Sequence, residues 1–268
     1  MNDSIKKQIK ASLVSSIRQF LRKVKKVNYQ VLDDIFPQER RIRSLIGGLE
    51  TSLGTTFWEP IAKVIAKANG FEIVEPKKIL RPDPFPPALA AELDQLIRER
   101  ENRENDRIIP TSECISRLRQ IALSKDFPAI THCLPPAQGT GVDIYLKKNH
   151  REYVFDLKTT QPNLASFKSF NKQLLEWYAY KIAIRPDIQI ENRIVIPFNP
   201  FRVSWYKKQQ SMLSSSPLDV KQDIWVEDEF WDFCSGESNT FSQLRQLFIE
   251  LGKENFAGEF KDIFYPSE

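Results

Sequence analysis

The sequence is poor in the residues that build redox, zinc and nucleotide chemistry. Its 268 residues include three cysteines, two histidines and nine glycines. Cys114, Cys133 and Cys234 show no CxxC spacing. An odd number of thiols without a disulfide framework points to a reducing, cytoplasmic compartment. The adjacent His132 and Cys133 have poor ligand spacing and His150 stands apart, so no zinc site is expected and the His132-Cys133 pair is read as structural. The glycines form neither a Walker loop nor a GxGxxG turn, which argues against ATP or NAD chemistry. No run of 18 apolar residues occurs, so no membrane span is expected, and the charged start MNDSIKKQIK is not a signal peptide. Internal repeats and low-complexity runs are also absent.

What is present is an ordinary globular composition, 41% hydrophobic and 28% charged. The formal net charge is only +4, but it is unevenly spread: +7 over residues 1–43, +5 over 44–216 and −8 over 217–268. That pattern suggests that part of the surface meets a polyanion and that the acidic tail packs or dimerises away from it.

Hydrophobic periodicity organises the chain. Ile5, Ile9, Leu13, Ile17, Leu21 and Val24 step by three or four, predicting an amphipathic helix over 3–27. Its lysines and arginines are read as a solvated basic face of a helix packed on its own core or a second subunit, in preference to a DNA or membrane contact. A helical region over 44–69 stops at Asn69-Gly70. Residues 71–79 read as a strand. Helices over 88–103 and from Thr111 lie in an insertion, 80–136, whose RPDPFPP segment and 128–136 stretch read as loops because proline fixes φ and removes donors. A helix over 164–184, a strand from Arg193, a possible strand VSWY from Val203 and a helix near 240–251 ended by Gly252 complete the reading. The expectation is a single domain, 1–268, of α/β class: a mixed β-sheet core (44–79 and 137–210) flanked by helices, with a basic N-terminal helix (1–43) and an acidic C-terminal segment (211–268).

The informative feature is the hairpin GVDIYLKK, Asn149-His150, REYVFDLK. Asn149 tolerates the left-handed conformation a tight turn needs. Counting outward, Lys147 opposes Glu152, Tyr145 opposes Val154 and Asp143 opposes Asp156. Two carboxylates facing each other in apolar strands repel, and a divalent cation between them removes the conflict. Hard oxygen ligands suit magnesium. Lys158, two residues beyond Asp156, shares its face. Two acids and an amine around a metal make a hydrolytic centre: the metal stabilises charge on a phosphate, and the lysine positions or deprotonates a water. The alternative is a surface hairpin with one salt bridge.

These residues, GVDIYLKKNHREYVFDLKTT, resemble the PD-(D/E)XK nuclease superfamily, with Asp143 as the first acid, Asp156-Leu157-Lys158 as the second half-motif, and Val142 in place of the usual proline. The segment Leu45 to Pro60, LIGGLETSLGTTFWEP, together with the hairpin through Asn163, is more closely similar to type II restriction endonucleases of the TdeIII-like group. That resemblance implies a restriction-endonuclease-like fold, a homodimer cutting double-stranded DNA at a palindromic GGNCC site with Mg2+, a cognate DNA methyltransferase as functional partner, and the Leu157 carbonyl as a metal ligand beside Asp143 and Asp156. It also implies an acid from the first core helix. Glu50 is favoured because it lies with Leu53, Gly54 and Phe57. Glu59 is nine residues on, the opposite side of a straight helix, and Thr56 to Glu59 reads as a capping box before Pro60. Either can complete the metal site.

Candidate DNA contacts are Thr159, Thr160, Gln161 and Asn163 after the second strand, Lys168 and Lys172 on one helix face, and the cluster Arg202, Lys207, Lys208, Gln209 and Gln210. Arg81 and Asp83 form a second group. Arg or Lys reads guanine and Gln reads adenine in the major groove, while the remaining donors hold phosphates. A repair or resolvase nuclease and a non-catalytic DNA-binding module remain the competing readings.

Overall fold

The structure, a computed structural model, describes residues 1–23, 28–102, 107–124, 127, 130–136, 141–159 and 161–266. In chain order the elements are α1 (Asp3–Lys23), a 3-10 turn (Val31–Asp34), α2 (Pro37–Leu53), a π turn (Gly54–Trp58), α3 (Glu59–Ala68), β1 (Glu72–Ile73), β2 (Arg81–Asp83), α4 (Pro87–Asn102), α5 (Thr111–Ser124), β3 (His132–Leu134), β4 (Ile144–Lys148), β5 (Arg151–Leu157), α6 (Leu164–Ile184), β6 (Gln189–Ile196), the short helices α7 (Trp205–Lys208), α8 (Gln210–Ser214) and α9 (Val220–Asp223), β7 (Ile224–Val226), α10 (Asp228–Ser235), α11 (Thr240–Lys253), a second 3-10 turn (Phe256–Phe260) and α12 (Lys261–Phe264). They fall into two compact units, Gly70–Glu227 and Met1–Asn69 with Asp228–Glu268.

The Gly70–Glu227 unit is built on a mixed five-stranded sheet of order β1-β4-β5-β6-β7. β4 pairs antiparallel with β5, and β6 runs parallel to both β5 and β7. This is the expected mixed α/β architecture, with helices packed on the sheet, and it is compatible with a restriction-endonuclease-like fold. The hairpin turns on Asn149 and Asn149's neighbour His150, both at positive φ (50° and 63°), as a two-residue turn of this hand requires. The register is the expected one: Lys147 faces Glu152, Tyr145 faces Val154 and Ile144 faces Phe155. α6 occupies the predicted 164–184 because Asn163 caps it, accepting from the Ser166 N–H at 2.9 Å. The stripe Phe167, Phe170, Leu174 and Tyr178 is buried in the core.

Several expectations in this unit are corrected. Only Glu72–Ile73 of the 71–79 stretch is strand. The RPDPFPP segment and the 128–136 stretch are not wholly loop, because Arg81–Asp83 pairs antiparallel with His132–Leu134 in a two-stranded sheet. A two-stranded ribbon has only edge strands, where a proline such as Pro82 is tolerated. VSWY is no strand: Trp205 begins a helical turn and donates its indole N–H to Gln161 Oε1 at 2.7 Å. β7 was unexpected, and its Trp225 stacks on Phe155 at 5.7 Å.

The insertion helices are tied to the core by a wholly buried polar cluster. Arg100 on α4 donates to Asp223 (3.0 Å), Asn171 (3.1 Å) and Thr111 (2.5 Å). Arg100 and Asp223 are both fully buried. Burial raises the Asp223 carboxyl above its usual range, against the pull of Arg100.

In the other unit, α1 buries Ile9, Leu13 and Leu21 as its stripe predicts. Val24, Lys25 and Lys26 lie outside the described residues. Trp58 packs against Trp231 (5.7 Å), Phe241 and Phe248. Residues 1–69 carry a net +7 and 228–268 a net −6, and the two stretches fold together. Lys10 reaches Glu254 at 2.5 Å, Arg18 reaches Glu259 at 2.7 Å and the Met1 amine pairs with Glu237. Part of the basic front is thus neutralised by the acidic tail, so its excess charge is not simply solvated. No helix among the described residues is long and apolar enough to cross a membrane.

Candidate active site

The hairpin brings Asp143, Asp156 and Lys158 together, as their spacing predicts. The ladder stops one pair short of the two acids, at Ile144 and Phe155. The Asp143 N–H donates to the Phe155 carbonyl at 3.0 Å, and its carboxylate Oδ2 accepts the Leu157 N–H at 2.7 Å. Asp143 therefore leaves the regular pairing that would set it squarely against Asp156. A like-charge cross-strand pair is disfavoured, and a charge-assisted bond to a backbone N–H takes its place.

Asp156 is held differently. Its Oδ2 accepts from Lys158 Nζ at 2.8 Å and from Gln173 Nε2 of α6 at 2.9 Å. Burial pushes the Asp156 carboxyl up to about 6, against the pull of Lys158, and the nearby Asp143 charge adds to the rise. The Lys158 ammonium also lies 5.2 Å from the centre of the Phe170 ring. Among the described residues, Oδ1 of Asp143 and Oδ1 of Asp156 make no hydrogen bond. Two hard, incompletely bonded carboxylates fit an oxygen-ligated divalent cation. Among the described residues, no three His, Cys, Asp or Glu side chains gather as a complete ligand set.

Gln173 escaped the sequence reading, although a signal was there. A glutamine inside the apolar stripe of a helix needs a partner once buried, and Gln173 is only 4% exposed. The same holds at the far end of the hairpin. Buried Glu152 accepts from Tyr145, lies 2.8 Å from both Lys181 Nζ and Arg185 Nη2, and lies 3.8 Å from Lys147. Burial alone would raise its pKa, but Lys181 and Tyr145 bring it below the ordinary value.

The helical glutamates lie in the unit that holds α1–α3. Glu50 is exposed rather than on a buried face. The straight-helix angle used to separate it from Glu59 does not apply, because the π turn Gly54–Trp58 sits between them and winds less per residue. The Thr56 capping box is not formed. α3 continues directly from the π turn, leaving no free helix start to cap, and the Thr56 hydroxyl donates to the Ser52 carbonyl. Glu59 is 8% exposed and pairs with Lys63 at 2.9 Å.

Of the candidate DNA contacts, Lys168, Lys172, Arg202, Lys207, Lys208, Gln210, Arg81 and Asp83 are exposed. Thr159 is half-buried, and Thr160 lies outside the described residues. Asn163 and Gln161 are engaged in the cap and in the Trp205 bond described above, and Gln209 is buried.

A family model described as "Type II restriction endonuclease, HinfI" matches residues 1–252. The chain therefore belongs to the HinfI family of type II restriction endonucleases. It is also similar to the type II restriction enzyme MjaII of Methanocaldococcus jannaschii, 22% identical over 223 residues, which cover 81% of this chain and 56% of that relative. The chain thus spans little more than half the length of this curated relative. No solved structure matches it.

Proposed function

We propose that the chain is a type II restriction endonuclease of PD-(D/E)XK type. It hydrolyses double-stranded DNA at a short palindromic site, GGNCC, with Mg2+, and leaves 5′-phosphate and 3′-hydroxyl ends. The observation that carries this reading is the meeting of Asp143, Asp156 and Lys158 at one end of the hairpin, with one oxygen of each carboxylate left without a hydrogen bond among the described residues. Family membership supports DNA as the substrate class.

Asp143 Oδ1, Asp156 Oδ1 and the Leu157 carbonyl would hold the cation. The N–H and C=O of a strand residue leave on the same edge, so the Leu157 carbonyl lies on the side where its N–H meets Asp143. When bound, Mg2+ supplies stabilisation of negative charge and a lowered pKa for its water. Lys158, as an ammonium, then donates to the attacking water or the phosphate and positions it. Thr159, Thr160, Lys168 and Lys172 hold the backbone beside the site, and Arg202, Lys207, Lys208 and Arg81 supply phosphate or guanine contacts. A palindromic site implies a two-fold homodimer, and a cognate methyltransferase would protect the host DNA. Residues 1–268 act as one endonuclease domain in the cytoplasm.

Digestion of a long DNA with the purified protein and Mg2+ tests the reading. Discrete bands support it. A smear or junction-only cutting favours a repair or resolvase nuclease, and tight binding without cleavage favours a non-catalytic module.

A further inference from the structure

We propose that Gln173 is the positioning residue of this centre: it keeps Asp156 in place when Lys158 turns from Asp156 to the reacting water. The inference rests on the nuclease reading above. Lys158 and Gln173 both donate to one oxygen, Asp156 Oδ2. A carboxylate only accepts, so the amide must present its Nε2. If Lys158 were the sole partner of Asp156, its departure to a water or phosphate would release the carboxylate. With Gln173 in place, Oδ2 stays bonded and Oδ1 keeps its direction.

The residue type fits the task. A second cation at this position would oppose a bound divalent ion, and a carboxylate would add a third negative charge beside Asp156. A neutral donor does neither. The mounting is also rigid. Gln173 lies in the middle of the 21-residue α6 and is buried among core residues that include Phe170, Leu174 and Trp177. Lys158 rests on Phe170 of the same helix, so one helix turn carries both the donor that stays and the surface from which the lysine departs.

The test compares wild-type protein with Gln173→Met, which keeps the length of the side chain without its donor, and with Gln173→Asn, which keeps the amide but shortens its reach. Mn2+ affinity is read by calorimetry and electron paramagnetic resonance, DNA affinity without divalent ions by fluorescence anisotropy, and folding by thermal melting. Partners that orient a metal ligand typically contribute 10–100-fold in metal affinity or activity. The expected result is an Mn2+ affinity lower by about 10-fold or more, a matching fall in kcat, and an unchanged KM and metal-free DNA affinity. If Gln173→Met does not fold, Gln173→Asn must show the loss. Mn2+ affinity and kcat within about twofold of wild type in a folded variant overturn the proposal while leaving the nuclease reading intact. If wild-type protein neither binds Mn2+ nor cuts DNA, the nuclease reading fails, and this inference fails with it.

Discussion

Gln173 and Lys181 stand eight residues apart on α6 and reach Asp156 and Glu152, four residues apart on β5. Eight helical residues rise about 12 Å, and four strand residues span about 13 Å. The two polar ties therefore match in length, and they lock an antiparallel helix in register over the strand that carries Asp156 and leads into Lys158.

Breaking the distal tie should loosen the proximal one. Lys181→Met removes one charge-assisted partner of Glu152 and leaves Arg185 and Lys147. The expected cost is about 1–3 kcal/mol in urea unfolding, together with reduced cleavage, although Lys181 touches none of the reacting groups. Unchanged stability would mean that Arg185, Lys147 and Tyr145 suffice to hold Glu152.

The raised Asp156 carboxyl makes stability depend on pH. Its pKa lies near 6 in the folded protein, against about 3.9 in the unfolded chain. Between these values the folded state binds the proton more tightly, so this group's contribution to stability falls as pH rises through that window. The shift corresponds to about 3 kcal/mol once both states are ionised. In metal-free protein, Asp156→Asn should therefore raise the melting temperature at pH 7.5 and change it little at pH 4, while abolishing cleavage. Equal effects at both pH values would remove the assignment.

The buried Arg100 and Asp223 pair should dominate the stability of the Gly70–Glu227 unit. Arg100→Met leaves Asp223 fully buried without its cationic partner, a change that typically costs about 3–5 kcal/mol. Double replacement with apolar residues of similar volume should recover much of that loss in urea titrations.

The cations proposed to contact DNA can be told from the paired ones by salt. Replacing Lys207 or Lys208, both exposed, with alanine should weaken binding to all sequences alike and reduce the slope of log K against log[salt] by about 1 each. Arg18, already bonded to Glu259, should leave that slope unchanged when replaced.

The hairpin was legible because three independent signals agree there: alternation, an Asn149-His150 turn, and acids with a lysine at even spacing. α6 was legible for similar reasons, with Asn163 at its start and a continuous apolar stripe. What escaped depends on partners distant in sequence. Pro82 masked a strand that exists only because residues 132–134 pair with it. The π turn before Glu59 carries no signal in the straight-helix angle count. VSWY is too short for periodicity to separate strand from helix, and its Trp205 is placed by Gln161. The role of Gln173 became visible only once Asp156 was seen beneath it.

If Asp156 and Lys158 perform DNA cleavage while other groups bind the DNA, cleavage and affinity separate on substitution. The most direct test measures single-turnover cleavage and DNA affinity side by side for wild type, Asp156→Ala and Lys158→Ala in Mg2+. Both variants are expected to bind DNA within a fewfold of wild type and to cut at least about 100-fold more slowly. Either variant cutting at the wild-type rate would contradict that division of roles.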